Sequence, residues 1–430
     1  MRYPIEAFLA VVVITFLTDY LFYRTIKPSD TKSYSMFSFP YGSFWNYGVA
    51  TLFVVFFGVF WVAINGATGP IVYPLFMWFI VSYLLIYLPK MVYALVVGGS
   101  RWVVKVRKKF KTPVKLDKMN NGRYPKITRK KFLSQIGIVM ASAPFVSLLF
   151  GVLKGRFAFN IRYSKISFPN LPTEFDGLRI VQISDLHLGS YNASYRELAN
   201  AVELINAEQP DIICFTGDLV NNFAEETEGW EKVFSHLKAR IGKFSILGNH
   251  DYGDYSRWKS AAEKEKNFQG IVDAHARLGF KLLRNESVMI GDEAEQQYMA
   301  LVGVENWGHA PFPKYGDLEK ASRHVNGAPF KVLLSHDPDH WDEEVIKETN
   351  YDLTLAGHTH GMQVGFEYLG LQWSPAKYKY RRWAGLYREN DQFLYVNRGL
   401  GYLGMPARLG MPPEITVIDL ARGPVNTEPM

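Results

Sequence analysis

Five of the ten histidines in this 430-residue chain fall in short polar motifs, each at the end of an apolar run. The motifs are Asp185-Leu186-His187, Gly217-Asp218, Gly248-Asn249-His250-Asp251, Ser335-His336-Asp337 and Gly357-His358-Thr359-His360. The runs that feed them, 179–184, 212–216, 244–247, 331–334 and 353–356, read as buried strands. Asp, His and Asn delivered to one sheet edge supply the donors of a two-metal site. Two divalent ions roughly 3.5–4 Å apart need a bridging carboxylate, with imidazole and oxygen donors completing each sphere. Such a mixed set suits Mn, Fe, Zn or Co better than Mg or Ca, which prefer oxygen alone. If strand alternation carries on into the motifs, residues i and i+2 share a face. Asp185 and His187 would then reach one ion together, as would His358 and His360.

The order D-x-H, G-D, G-N-H-D, a single His after a strand, and G-H-T-H resembles the calcineurin-like metallophosphoesterases over residues 157–421. The resemblance implies that Asp185, His187, Asp218 and His360 hold one metal. Asp218 would bridge, and Asn249, His336 and His358 would complete the second. It also implies that His250 sits beside the substrate, as general acid to the leaving oxygen or as transition-state stabiliser, with Asp251 as its orienting partner. Gly-Asp-Leu-Val-Asn-Asn and Gly-Asn-His-Asp stand where the phosphoprotein-phosphatase forms carry GDxVDRG and GNHE, which argues against that branch. Leu334-Ser335-His336-Asp337-Pro338-Asp339, the Gly-His-Thr-His-Gly turn and Asn397-Arg398-Gly399-Leu400-Gly401 look like the bacterial membrane-associated or exported branch. Met362 departs from that branch, which usually has a second glycine there.

The implied reaction is hydrolysis of a phosphoester or pyrophosphate by a hydroxide bridging two divalent ions. No Ser or Cys nucleophile motif competes. The implied fold is α/β, a four-layer αββα sandwich of two mixed sheets with the metals at strand ends. Helical patterns between the runs agree. Ser194 and Glu197 form a capping box, with Leu198, Val202 and Ile205 as the apolar stripe behind it. A second helix is expected over 228–240, and a charged helical excursion over 251–279. Arg398 and Arg408, in a Gly-rich segment, are candidates to clamp a phosphate bidentately; pairing with carboxylates is the alternative. His236, His275, His309, His324 and His340 fit no ligand spacing. The single cysteine, Cys214, lies mid-strand, so no internal disulfide is possible.

Before this domain the composition changes. Residues 1–100 carry only eight charges, and long apolar stretches occupy about 5–23, 47–64, 71–97 and 132–153. Each approaches or exceeds the ~20 residues that cross a bilayer. We therefore expect three transmembrane helices in 1–100, a basic loop at 101–131, a fourth, signal-anchor-like helix at 132–153, and a tail at 422–430. The loop holds thirteen Lys and Arg against Asp117 alone, and without it the formal charge of +7 becomes −5. Basic charge gathered in one loop is not a nucleic-acid-binding face, and no nucleic-acid partner is expected. By the positive-inside rule the loop is cytoplasmic, which carries the catalytic domain to the outer side of a bacterial inner membrane. Thr128-Arg129-Lys130-Lys131-Phe132-Leu133 resembles a twin-arginine signal with one arginine replaced; topogenic charge alone explains it equally. Asp19 and Lys90 lie within spans. Arg24, about a turn past Asp19, is its expected partner, and no paired intramembrane charge is expected.

A domain tethered at the outer face points to lipid-linked phosphates, with the aromatic stretches 307–315 and 366–383 as a lip at the interface. Alternatives are a nucleotide-sugar-lipid pyrophosphatase, whose substrate is cytosolic, and a non-catalytic metal-binding scaffold. Protein partners leave no trace in the sequence.

Overall fold

The computed structural model describes residues 4–26, 72–110, 129–191, 195–310, 313–325 and 327–429. Three long helices open the described chain, Pro4–Ile26, Val72–Phe110 and Arg129–Leu153. Leu75–Val103 and Lys131–Phe157 are long and apolar enough to span a bilayer. The expected span at 47–64 lies outside the described residues, as does Ser194 of the capping box. The helix expected to end at 97 runs on to Phe110, so the start of the basic segment is helical rather than loop. Residues 101–110 contain no Gly or Pro, and Arg and Lys are good helix formers.

Asp19 is buried, accepting from Tyr87 Oη at 3.1 Å and Lys90 Nζ at 3.4 Å. This corrects two expectations. The partner of Asp19 is on another helix, and the long apolar helices do carry a paired charge. Arg24 sits five residues on, where a helix side chain does not face residue i, and it donates instead to Tyr20 Oη at 3.3 Å.

The chain divides into two compact units, with Leu75–Phe150 in one and Gly151 onward in the other. The second unit contains fifteen strands among its described residues. In chain order they are β1 (Asn160–Phe168), β2 (Arg179–Ile183), β3 (Ile212–Phe215), β4 (Gly242–Ser245), β5 (Lys281–Leu282), β6 (Glu286–Asp292), β7 (Gln297–Gly303) and β8 (Lys331–Leu334). There follow β9 (Leu353–Ala356), β10 (Phe366–Tyr368), β11 (Leu371–Trp373), β12 (Gly385–Glu389), β13 (Gln392–Val396), β14 (Glu414–Arg422) and β15 (Asn426–Pro429). They form a seven-stranded sheet, β15-β1-β14-β2-β3-β4-β5, a six-stranded sheet, β12-β13-β9-β8-β7-β6, and a separate β10-β11 ribbon. The strands β2–β5 run parallel, as do β7, β8, β9 and β13, so the runs that feed the motifs all point their C-terminal ends the same way within each sheet.

Burial explains why those runs read as continuous rather than alternating apolar sequence. Ile180, Ile212, Cys214 and Ile246 of one sheet meet Met299, Leu301, Val332, Leu334, Leu353 and Leu355 of the other. The outer face of the first sheet is covered by the helices Tyr195–Ala207 and Ala261–Arg277, through Leu198, Val202, Ile205, Ile271 and Ala274. Leu318, Ala321, Trp341 and Val345 cover the outer face of the second. Both faces of each central strand are therefore dry, as parallel sheets require, and four layers result.

Two boundaries differ from expectation. Within 228–240 only Glu231–Phe234 is α-helical, because the Arg240 and Ile241 amides are drawn to the Pro210 and Asp211 carbonyls beside β3. Residues 426–429, expected as tail, add the edge strand β15 antiparallel to β1.

Candidate metal centre

The motifs begin where the strands stop, and there the backbone leaves the extended region. Asp185, His187, Asp218, His358 and His360 all adopt positive φ, between 47° and 73°. Strand alternation therefore does not pair these side chains. Left-handed turns do, at a cost on the order of 1–3 kcal/mol for each non-glycine residue. His358 and His360 accordingly part company and join different clusters.

One cluster gathers Asp185, His187 and His360. His360 Nε2 lies 3.2 Å from Asp185 Oδ1 and 3.1 Å from His187 Nε2. The other gathers Asp218, His336 and His358, with Asn249 Oδ1 3.0 Å from His336 Nε2 and 2.8 Å from His358 Nδ1. Asp218 Oδ2 stands between them, 3.5 Å from His187 Nε2 and 3.3 Å from His336 Nε2. The structure thus brings together all seven residues expected as ligands.

Their partners turn acceptor atoms inward. His187 Nδ1 donates to Val220 O at 3.2 Å and His336 Nδ1 to Thr216 O at 2.7 Å, leaving each Nε2 facing the cluster. Asn249 Nδ2 donates to Tyr255 Oη, which aims its carbonyl oxygen the same way. Nitrogen and oxygen lone pairs converging in a buried space, with few hydrogens to share, is a donor set that fits divalent cations. Electrostatics agree. Burial alone would raise Asp218, but His336, His250 and His187 hold its carboxyl well below the usual range. Burial would lower His336, yet Asp218 pushes it up to about 10. Burial draws His187 down to about 3 and His358 to about 4, so both imidazoles are neutral and able to ligate.

Asp185 is fixed from two sides. Its carboxylate accepts the His358 amide, and its carbonyl accepts the Gly401 amide at 2.8 Å. The Asn397–Gly401 motif is therefore a brace for the Asp185 turn.

Three site expectations change. Asp251 does not orient His250. Its carboxylate accepts amides from Gly248, Asp218, Leu219 and Val220 at 2.9–3.2 Å, tying down the turn that carries Asp218. His250 Nδ1 donates instead to Asn221 O at 2.7 Å, while its ring stacks on Tyr255 with centroids 4.3 Å apart. Arg398 and Arg408 are buried and committed internally, so neither is a free phosphate clamp. Arg398 pairs with Glu367 at 3.2 Å and lies 3.5 Å from Glu414. Arg408 donates to the carbonyls of Arg398, Gly399, Gly401 and Met411 and reaches His360 Nδ1 at 3.2 Å. A glycine-rich stretch leaves many carbonyls without side-chain cover, and one buried guanidinium gathers them.

Tyr255, Tyr380 and Asn221 carry no motif that marks them in the sequence. Tyr380 Oη lies 3.1 Å from His358 Nε2, the ring nitrogen remote from the cluster. Of the discounted histidines, His236 and His324 are exposed, and His275 and His340 are buried, held by Ser245 and Ser335. His309 forms a third, more exposed group with Asp337 and Asp339.

Comparison with known proteins fits this geometry. Residues 178–362 match the family model "Calcineurin-like phosphoesterase", and residues 1–156 match "Probable Calcineurin-like phosphoesterase, transmembrane domain". The chain is 33% identical over 257 residues to "Uncharacterized metallophosphoesterase YkuE" of Bacillus subtilis, covering 58% of this chain and 81% of that one. The chain belongs to the calcineurin-like phosphoesterase family. It is a membrane-associated, metal-dependent phosphoric ester hydrolase. A zebrafish "Transmembrane protein with metallophosphoesterase domain" is 28% identical, but the match spans 60% of this chain and only 56% of that protein. "UDP-2,3-diacylglucosamine pyrophosphatase LpxG" of Chlamydia trachomatis is 29% identical across 60% of this chain and 88% of its own length.

Proposed function

We propose that this phosphoesterase cleaves a phosphodiester or pyrophosphate in a lipid-linked substrate at the outer face of a bacterial inner membrane. In this reading Asp185, His187, Asp218 and His360 hold one divalent ion, and Asp218, Asn249, His336 and His358 hold a second. The observation that carries it is Asp218 Oδ2, within 3.5 Å of one imidazole from each cluster. When bound, such a pair of ions supplies an acidified water as nucleophile and takes up charge on the phosphoryl oxygens.

The chain supplies the rest. His250, its Nδ1–H fixed on Asn221 O, presents Nε2 to the leaving oxygen and donates there only as the imidazolium, a form that burial disfavours and the Asp218 carboxylate favours. Tyr255 holds the ring plane, and Asp251 holds the Asp218 turn. The basic 101–131 segment supports the orientation through the positive-inside rule. The chlamydial relative favours a second reading, a nucleotide-sugar-lipid pyrophosphatase; the topology argues against it, since that substrate lies in the cytosol.

The test uses the full chain in detergent with bis-p-nitrophenyl phosphate, p-nitrophenyl phosphate and a series of divalent metals. Asp218→Ala should lose bound metal and turnover together. His250→Ala should keep its metal and slow by ~10²–10⁴-fold. An Asp218→Ala protein with full metal content and activity would refute the assignment.

A further inference from the structure

The β10-β11 ribbon stands apart from both sheets and shows two unlike faces. Its register pairs Phe366 with Trp373 and Tyr368 with Leu371, and these four side chains share one face. Glu367 and Gln372 share the other. The polar face is tethered to the body of the domain, because Glu367, itself still partly exposed, accepts from Arg162 Nη2 at 2.5 Å and Arg398 Nη1 at 3.2 Å. The apolar face is thereby turned out. Phe366 is 51% exposed, Tyr368 70%, Leu371 69%, and Leu369 at the tip 84%. Leu369 and Gly370 adopt φ of 48° and 78°, as a type I′ turn requires, so the tip is a defined hairpin. A two-stranded ribbon is marginal in water by itself. Trp373 is half-buried, but displaying Phe366, Tyr368, Leu369 and Leu371 there is unfavourable unless something covers them.

The base of the ribbon indicates what does. The Gly365 amide donates to Leu409 O at 2.8 Å. The neighbouring Arg408 amide donates to Gly151 O at 3.3 Å, and the Leu409 side chain packs where a Gly151 Cβ would stand. Gly151 lies inside the apolar segment Lys131–Phe157, which is long enough to cross a bilayer. The hairpin is thus rooted two hydrogen bonds from a membrane-spanning helix. Exposed Lys377, Tyr378 and Lys379 lie in and just after the short turn Pro375–Tyr378 that follows β11, a mixture of cation and aromatic suited to anionic headgroups.

We propose that the apolar face of this hairpin inserts into the interface of the bilayer that holds the chain's own helices. Tyr380, three residues after Lys377, touches His358, so docking would hold the metal centre against the lipid surface. The inference rests on the membrane assignment. It bears on the lipid-linked substrate of the proposed function without requiring it.

The experiment uses the full chain in nanodiscs of phosphatidylethanolamine and phosphatidylglycerol doped with nitroxide-labelled lipid. Cys214 is buried, so a fluorophore attaches only at an introduced cysteine. A label at Leu369→Cys should be quenched by the nitroxide, and one at Asp391→Cys, in the β12–β13 turn, should not. An unquenched label at 369 overturns the proposal. So does a label shielded only in a dimer on sizing, which would assign the face to a second copy.

The companion variant is Tyr368→Ser/Leu369→Ser/Leu371→Ser. It should cleave bis-p-nitrophenyl phosphate normally but lose about tenfold or more on a lipid phosphodiester embedded in the disc, given the apolar surface withdrawn from the interface. Quenching at 369 in a protein that leaves the lipid diester intact would uphold docking and remove the lipid-linked substrate instead.

Discussion

At the residue scale, His250 and Asp251 divide two tasks: a ring held on the Asn221 carbonyl, and a carboxylate that ties down the turn carrying Asp218. The two are adjacent in sequence, and only coordinates separate the ring-orienting carbonyl of Asn221 from the loop-tying carboxylate of Asp251. Asp251→Asn keeps the shape but places an NH₂ against amides that need an acceptor. It should behave like a metal-site lesion, with reduced metal content by elemental analysis, whereas His250→Ala stays loaded. Equal metal content in the two variants would return Asp251 to the His250 side. The ligand types were legible because metal chemistry restricts them to Asp, His and Asn. Arg398 takes the carboxylate pairing that the sequence left open and Arg408 takes neither role, because an arginine in a glycine-rich segment gives the same sequence signal whether it faces solvent or is buried beneath carbonyls.

At the element scale, strands were legible and turns were not. The runs 331–334 and 353–356 coincide with β8 and β9, since both faces of each are buried and the apolar sequence marks their whole length. The left-handed turns beyond them leave little trace, because Asp and His at positive φ look like Asp and His anywhere. Glycines mark the places where two turns touch. A Cβ on Gly357 would run into Ser184 Oγ and Asp185 Oδ2. Gly357→Ala should therefore displace Asp185, costing roughly 1–3 kcal/mol of stability and impairing metal retention, read by thermal melting with and without chelator. Met362 follows the same logic in reverse. It adopts φ 48° beside Gly361 at 54°, a left-handed pair that a second glycine would adopt with less strain.

At the scale of the whole molecule, His275 is one source of acid sensitivity away from the metal centre. Burial draws His275 from 6.5 down to about 3, with its Nδ1 on Ser245 Oγ. Between those values the unfolded chain binds a proton that the folded chain does not, so stability falls as pH drops from about 6.5 to about 3. His275→Leu should start lower for want of the Ser245 bond but show a flatter acid limb in denaturant titrations. An unchanged slope would acquit His275. The charged, glycine-poor helix extension to Phe110 and the Asp19–Lys90 pair belong to this scale too, and both escaped the sequence because hydropathy reports span length and not which helices are neighbours.

The bond from Arg408 to Gly151 also sets where the catalytic half can be cut free. Motif and composition put its start near 157, but Arg408, whose side chain backs His360, has its amide on a carbonyl six residues earlier. A soluble fragment beginning at 157 should melt below one beginning at 151 and release metal more readily to chelator. The last turn of the membrane helix is, in that sense, the first turn of the enzyme.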